Sequence, residues 1–371
     1  MHARQRAVAI MARGLRSSGP SAGAPSASRP TPFRPTPSRR SPFGLTSFRL
    51  TGSGPIASAL ILSALVSMPA AHAQAFPSHP IRFVVPFGPG SGTDTSARYF
   101  AKKLQELTGQ SVVVENRAGG NGFIAVKQVL SAPADGYTVF IGSNSTLAVN
   151  TALFRQLPYD PVKDLTPLSM MMRSPALLIA PAETGAKTQA ELIAAAKAKP
   201  GQLNYGAGSA GYQLMAELFN QKAGIQTYHV PYKGAADALT AVASGSVQFT
   251  FAEITSAVEL AKGGRVRALA VAADRRTPAM PDVPTSAEAG LPGYTAYTWV
   301  AAMVSSSTPA AEANKLAELL TAIARQPETR EFYSRLGAEV MTGGPQELRD
   351  FQLGEIKLWK QVASEAKVEQ Q

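Results

Sequence analysis

A predicted strand runs directly into a glycine-rich turn in the stretch VVPFGPGSGTD, residues 84–94. A helical pattern follows, so the N–H groups of the turn lie at the positive end of a helix dipole. A second stretch, LNYGAGSAGY at residues 203–212, has the same strand–turn–helix arrangement. Backbone N–H groups at a helix N-terminus bind carboxylates and phosphates. Two such turns in separate halves of the chain predict a clamp around one small anion.

The chain from residue 81 onward alternates short apolar strands with helical segments. This alternation is typical of mainly parallel sheets covered by helices. The first helix is predicted over residues 95–108, with Thr93 or Asp94 as its N-cap. The chain is predicted to leave one α/β lobe near Pro175 and to return to it near Thr298. Because ligands of open α/β sheets bind at the carboxyl ends of strands, both glycine turns are expected to face a cleft between two lobes.

The first 73 residues are predicted to be a disordered leader followed by a cleavable signal peptide. Arg49 precedes an apolar run at residues 56–66, and an Ala-His-Ala sequence follows at residues 71–73. This order of a positive region, a short apolar region and small residues is that of an export signal. We predict cleavage after Ala73 and a periplasmic mature protein. Its first lobe is predicted to be residues 74–175 and 299–371, and its second lobe residues 176–298.

The positive charge is concentrated in the leader. Nine of the 36 lysine and arginine residues are arginines at or before position 49, which leaves 27 basic against 25 acidic residues afterwards. A nearly neutral body argues against binding to a nucleic-acid backbone. The chain has no cysteine, which excludes disulfides, a thiolate nucleophile and a cysteine metal site. We expect no metal and no cofactor.

The second turn also fits two enzyme motifs. Gly206, Gly208 and Gly211 match the dinucleotide-binding spacing, which further requires an acid near the end of the next strand. That strand ends in His-Val-Pro-Tyr-Lys at residues 229–233, without an acid. Lys233 could still meet a 2′-phosphate, so a dehydrogenase stays an alternative.

A serine hydrolase is the other enzyme alternative, because residues 207–211 resemble a nucleophile elbow around Ser209. A triad also needs a general base, and the only histidine that follows is His229. That histidine is too close in sequence to leave room for an acid-bearing strand, and it is expected to be packed rather than catalytic. Two isolated histidines in the predicted mature chain do not form a zinc site. We expect a binding protein and not an enzyme.

Several motifs in the same order resemble the Bug-type solute receptors of tripartite tricarboxylate transporters. The motifs are PFGPGSGTD at residues 86–94, VVENRAGG at 113–120, LPYDPVKDL at 157–165, VPYKG at 230–234, and RALAV at 267–271 with PDVPT at 281–285. The similarity runs from about Phe76 to the C-terminus. It departs from the family pattern at three places. Ser91 stands where a second glycine is usual, and Gln213 stands where histidine is common. Ala252, directly before Glu253, stands where many members have aspartate.

The resemblance implies a two-lobed type II periplasmic binding protein, a Venus flytrap, that captures a small organic acid. It also implies membrane permease subunits as partners, or none if the receptor is an orphan. A sensory receptor without transport is a further alternative, and we expect a monomer. Asp94 is expected to fix the first turn rather than to contact an anion, and Lys233 either lies on the rim or pairs with a second carboxylate. The predicted ligand-binding residues are Phe87, Gly88, Pro89, Gly90, Ser91, Gly92, Thr93, Asp94, Ser143, Asn144, Ser145, Gly208, Ser209, Ala210, Gly211, Tyr212, Lys233 and Glu253.

Overall fold

The computed structural model describes residues 76–371, so the predicted leader and signal peptide lie outside the described residues. The strands are β1 (Ile81–Val85), β2 (Val112–Asn116), β3 (Thr138–Ser143), β4 (Leu165–Pro181), β5 (Asn204–Ala207), β6 (Tyr228–Pro231), β7 (Phe249–Glu253), β8 (Val266–Val271), β9 (Tyr297–Ser305) and β10 (Glu339–Val340). The helices are α1 (Gly92–Thr108), α2 (Phe123–Ser131), α3 (Asn150–Leu153), α4 (Gln189–Ala198), α5 (Ala210–Ala223), α6 (Ala235–Ala243), α7 (Ile254–Lys262), α8 (Ala310–Ala324), α9 (Pro327–Arg335) and α10 (Pro345–Glu365).

The strands form two lobes in the order β2-β1-β3-β9-β4-β7-β5-β6, with β8 and β10 also paired to β4. In the first lobe, β1 pairs in parallel with β2 and β3. In the second lobe, β5 pairs in parallel with β6 and β7. Antiparallel pairs occur where β9 joins β3 and β4, and where β4 joins β7, β8 and β10. The predicted two-lobed α/β fold is confirmed.

Strand β4 connects the lobes and runs through the predicted crossing near Pro175. It has 17 residues, nearly all of them buried. Residues 165–175 pair with β9, whereas residues 176–181 pair with β7 and β8. The crossing is therefore a continuous strand with backbone hydrogen bonds on both sides. The partner change falls between Pro175 and Ala176, while the lobe boundaries at 175 and 298 stay a prediction.

Helix α1 begins three residues earlier than predicted, and its N-cap is Ser91. The Ser91 hydroxyl accepts a hydrogen bond from the Asp94 N–H at 3.2 Å, as serine does at this position. The prediction of Thr93 or Asp94 as the cap was wrong. Thr93 and Asp94 lie inside the first turn, and the Asp94 carboxylate is bound to other groups, described below.

Two further elements were absent from the prediction. A π-helical turn over Ser145–Val149 follows β3 immediately and leads into α3. All of its side chains are buried, so no amphipathic pattern marks it in the sequence. The two-residue strand β10 pairs with β4 at Glu339 and Val340, too short a segment for periodicity to indicate.

The C-terminal helix α10 packs on both lobes. Gln352 is fully buried and donates hydrogen bonds to the carbonyl oxygens of Leu147 (2.9 Å) and Pro161 (3.1 Å). Gln221 of α5 donates to the carbonyl oxygen of Val362 at 3.0 Å. Buried backbone carbonyls need hydrogen-bond donors, and Gln352 of α10 provides one for each of these two carbonyl oxygens.

The two tryptophans of the chain meet on α10 as well. The indole N–H groups of Trp299 and Trp359 both donate to Glu355, at 2.8 and 3.0 Å. Burial raises the pKa of Glu355, although both indole hydrogen bonds act in the opposite direction. Because Trp299 lies on β9, this contact fixes α10 against the strand at the lobe junction.

Within residues 76–371, no helix has both the length and the apolar character to cross a bilayer. The same residues contain no group of three or more histidine or acidic side chains that could hold a metal ion.

Replacing Gln352 with alanine is expected to lower the free energy of unfolding by about 2–4 kcal/mol. The variant leaves the carbonyl oxygens of Leu147 and Pro161 without a donor and creates a cavity. Urea unfolding followed by circular dichroism measures the change. Gln361→Ala on the exposed face of the same helix is the control, with an expected change under about 0.5 kcal/mol. Equal losses in the two variants would contradict this account of Gln352.

Candidate functional site

The first glycine turn is held by the side chain of Asp94. One carboxylate oxygen accepts hydrogen bonds from the Gly90 N–H (2.9 Å) and the Arg98 guanidinium (3.0 Å). The other accepts from the Asn116 amide at 2.9 Å, and the same amide group donates to the Phe87 carbonyl at 2.9 Å. These contacts connect the start and the end of the turn to β2.

The charged form of Asp94 is favoured inside this network. Burial by itself raises the pKa of the Asp94 carboxyl, but hydrogen bonds from Arg98, Gly90 and Asn116 outweigh it and lower the pKa below its ordinary value. The side chain is 3% exposed, and its carboxylate is fully engaged within the first lobe. The geometry matches the predicted role of Asp94 in fixing the turn.

The first turn of α1 contacts the second lobe through Glu253. The Gly92 N–H donates to a Glu253 carboxylate oxygen at 2.8 Å, between residues that are 161 positions apart in the sequence. A Cβ atom added at Gly92 would overlap that carboxylate, so the close approach depends on glycine here. Glu253 is the last residue of β7, which places its carboxylate at the positive end of the α1 dipole.

Glu253 is a buried acid, only 8% exposed. Burial raises the pKa of its carboxyl, while the hydrogen bond from the Gly92 N–H and the nearby hydroxyl groups of Thr298, Thr255 and Tyr212 act in the opposite direction. Tyr212 lies at the start of α5, and its own pKa is raised well above the ordinary value, by burial first and then by the Glu253 charge. The N-terminal turns of α1 and α5 therefore converge on one carboxylate.

The second glycine turn contacts the first lobe through Ser145. The Gly211 N–H donates to the Ser145 hydroxyl oxygen at 3.1 Å, and that hydroxyl donates to Ser209 at 3.3 Å. Ser145 follows the carboxyl end of β3. Each of the two helix N-termini is thus bonded to a side chain of the opposite lobe.

Asn144 adjoins this second contact and has an unused donor. It is 2% exposed, and its side-chain nitrogen has no hydrogen-bond partner among the described residues. A Cβ atom added at Gly211 would lie 2.7 Å from that nitrogen and 2.9 Å from the Ser145 hydroxyl oxygen. A buried amide N–H without an acceptor is rare in folded proteins and marks a place where a polar group can bind.

Gly208 has a packing role. A Cβ atom at this position would overlap the backbone of Gly234 and Ala235, where α6 begins. The absence of a side chain allows the turn after β5 to lie directly against the turn after β6. At Gly90, by contrast, a φ of +83° in open space is what favours glycine.

The structure brings six of the 18 predicted site residues together at the interlobe contact. Buried residues from the two turns, the β3 end and the β7 end form the interlobe contact: Gly92, Ser145, Gly211, Tyr212 and Glu253, with Asn144 beside them. Pro89 and Gly90 are exposed. Lys233 is also exposed and makes no hydrogen bond or ion pair with another described residue, so it is not part of the cluster.

Sequence reasoning missed Asn116 and Thr298. Asn116 ends β2, which is parallel to β1, so the rule that site residues follow the carboxyl ends of neighbouring strands could have identified it. Thr298 lies on β9 and carries no such signal. Two surface grooves, of about 630 and 530 Å³, lie between residues 151–164 and α10 or the C-terminal tail, and neither is lined by a predicted site residue.

Ser209 and His229, the residues that the serine hydrolase alternative would use, both contact neighbouring side chains. The His229 ring is stacked on Tyr205 with a centroid distance of 5.3 Å, and burial lowers the pKa of His229. The Ser209 hydroxyl is bonded to Ser145 rather than to a histidine. His229 is packed as expected.

Replacing Asp94 with asparagine is expected to reduce the free energy of unfolding by about 2 kcal/mol at neutral pH, because three donors lose a charged acceptor. The folded-state pKa of Asp94 is lowered, so its stabilisation is fully present above the ordinary value of 3.8 and is lost as the pH falls through the folded-state pKa. Urea unfolding of both proteins across this range should show the difference shrinking at acidic pH. Glu106→Gln, on the exposed face of the same helix, should change little. A constant difference at all pH values would refute the charge-based explanation.

Replacing Gly208 with alanine is expected to cost about 1–3 kcal/mol of stability, because the new methyl group overlaps backbone that cannot rotate away. The matched control is Gly234→Ala in the same contact, where a Cβ atom would have no neighbour within 4 Å. Thermal unfolding of both variants measures the effect. If Gly234→Ala is destabilised as much as Gly208→Ala, the close contact does not depend specifically on the missing Cβ atom of Gly208.

Comparison with known proteins identifies the family. Residues 96–368 match the sequence model described as "Tripartite tricarboxylate transporter family receptor". The protein BugT of Bordetella pertussis is 34% identical over 296 residues, covering 79% of this chain and 91% of BugT.

Two solved structures from Rhodopseudomonas palustris are similar to this chain over most of its length. Rpa4515 with adipate has 35% identity and a TM-score of 0.76, covering 80% of this chain and 100% of that one. MatC (Rpa3494) with bound malate has 32% identity and a TM-score of 0.71, covering 77% of this chain and 99% of that one. The chain belongs to the tripartite tricarboxylate transporter receptor family, of Bug type.

Proposed function

We propose that this protein is a periplasmic solute-binding protein that captures a small organic acid between its two lobes for a tripartite tricarboxylate-type transporter. The observation that supports the proposal is that two helix N-termini each face the opposite lobe, one at Glu253 and the other at Ser145. The N–H groups of Gly92 and Gly211 are the donors in these two contacts. Backbone N–H groups at helix N-termini are donors that bind carboxylates.

The energetics favour closure around an anion. Each helix terminus contributes about 0.3–1 kcal/mol to an exposed anion and up to about 2 kcal/mol where water is partly excluded. A carboxylate bound by both lobes interacts more strongly with the closed arrangement than with an open one. Such a ligand shifts the hinge equilibrium toward closure.

Asn144 supplies the specific donor in this proposal. Its buried side-chain nitrogen has no partner among the described residues, and it lies beside the Gly211 N–H. Together with the Ser145 and Ser209 hydroxyls, it gives the second turn side-chain donors as well as backbone donors. The remaining predicted residues, from Phe87 to Thr93 and from Gly208 to Tyr212, provide the walls of the site.

The known proteins support a dicarboxylate or hydroxydicarboxylate as the class of ligand to test first. The ligands in the two R. palustris structures are adipate and malate. Family membership supports export to the periplasm and delivery to membrane permease subunits. A receptor of this kind needs no reacting side chain, because its work is binding and release.

Isothermal titration calorimetry with adipate and malate tests the proposal. The wild-type protein is expected to bind at least one of them, and Asn144→Asp is expected to weaken that binding by about 100-fold or more, because a carboxylate then faces the ligand. The substitution preserves the side-chain shape. Gln361→Glu on the exposed face of α10 introduces the same charge change away from the site and should bind like the wild type.

Two results would count against the proposal. Binding that is undiminished in Asn144→Asp would place the ligand elsewhere. Stabilisation of the protein by NAD(P) and by none of a panel of organic acids, measured by thermal shift, would favour the dehydrogenase alternative instead.

A further inference from the structure

The Glu253 carboxylate already uses the donor that the proposed function assigns to a ligand. The Gly92 N–H is bonded to Glu253 at 2.8 Å. Two other amides of the same helix start are used locally, because Asp94 N–H donates to the Ser91 hydroxyl and Thr95 N–H to the Ser91 carbonyl. A ligand carboxylate that uses the Gly92 amide must therefore share it with Glu253 or displace Glu253 from it.

The Gly92 N–H has room for only one hydrogen-bond acceptor. A Cβ atom at Gly92 would overlap Glu253, so the carboxylate lies directly against the backbone. Glu253 is held from behind by β4, where its backbone register partner is Ala176. A second carboxylate can reach the Gly92 N–H only if that of Glu253 moves or loses its charge.

No described lysine or arginine lies within ion-pair distance of Glu253. The titratable group that faces it from α5 is the Tyr212 hydroxyl. Thr298 of β9 and Thr255 of α7 contribute neutral hydroxyl groups. Repulsion between Glu253 and an incoming anion is therefore uncompensated by any nearby cation.

The charged groups on the surrounding elements are engaged elsewhere. Asp94 of α1 is bonded to Gly90, Arg98 and Asn116. Arg173 of β4 pairs with Glu339 and lies over the Tyr297 ring. Glu259 of α7 is exposed. Glu253 is thus the charge that an anion meets at this contact.

We propose that Glu253 is a built-in competitor for the Gly92 amide, so that its negative charge sets how tightly the protein holds an organic acid at the N-terminus of α1. The proposal rests on the proposed function. It makes Glu253 a residue that determines affinity and specificity. A ligand with a hydrogen-bond donor near its carboxylate is penalised less, because that donor can face Glu253.

Protonation of Glu253 acts in the same direction as its removal. Burial raises the pKa of this carboxyl above its ordinary value of 4.5. As the pH falls toward the folded-state pKa, a growing fraction of Glu253 becomes neutral and able to donate a hydrogen bond. Anion binding by the wild-type protein is therefore expected to tighten as the pH is lowered.

The test is calorimetric titration of Glu253→Gln and wild type with adipate and malate at about pH 8 and about pH 5.5. Glu253→Gln keeps the side-chain shape and an acceptor for Gly92, and it should bind at least about 10-fold tighter than wild type at the higher pH. The ratio of the two affinities should be smaller at the lower pH. Protonation of the ligand affects Glu253→Gln and the wild type equally. Any difference between their pH dependences of binding is therefore due to Glu253.

Matched variants complete the test. Glu259→Gln removes an exposed charge from the following helix and should bind like the wild type. Glu253→Ala, which removes the competing carboxylate altogether, should also bind tighter than the wild type, and circular dichroism verifies that each variant is folded.

The outcomes separate the two proposals. Wild-type binding with equal or weaker binding by both Glu253 variants would overturn the competitor role while leaving the receptor function standing. Binding of neither acid by the wild type or by any variant would overturn both. If the Glu253 variants bind and the wild type does not, the competitor role is supported, because the Glu253 carboxylate then prevents binding altogether.

Discussion

The lobes of this protein meet where each of two helix N-termini is bonded to a side chain of the other lobe. Gly92 at the start of α1 donates to Glu253, and Gly211 in the first turn of α5 donates to Ser145. The first amides of a helix have no partner within the helix, so burying them requires acceptors from outside. Here the acceptors come from residues just beyond or at the ends of β7 and β3. The same constraint therefore closes the interface between the lobes.

Precise placement of these amides depends on rigid surroundings. The Asp94 network holds the first turn, and the contact of Gly208 with the Gly234–Ala235 backbone holds the second. The continuous strand β4 and the helix α10 connect the lobes behind the contact. Hydrogen bonds to a shared anion are strong only when the donors are oriented in advance, and these supports provide that orientation.

The two halves of the contact differ in charge. An acid from the second lobe faces the first turn, whereas neutral hydroxyl and amide groups from the first lobe face the second turn. Under the proposed function, an incoming carboxylate would meet repulsion at one helix and unused donors at the other. In a receptor that must release its ligand as well as hold it, this asymmetry offers a way to limit affinity without removing the helix termini.

The amino-acid sequence alone determined the alternation of strands and helices and the two glycine turns at strand ends, because these depend on periodicity and local turn chemistry. The family resemblance rests on the identity and the order of several motifs. It misplaced the cap of α1, since Ser91 could not be distinguished from Thr93 or Asp94 until the partners of Asp94 were known. It also could not place Lys233 outside the cluster or Glu253 on the Gly92 amide. Only the tertiary structure decided those contacts, because they join residues as far as 161 positions apart and depend on how two separately formed lobes pack.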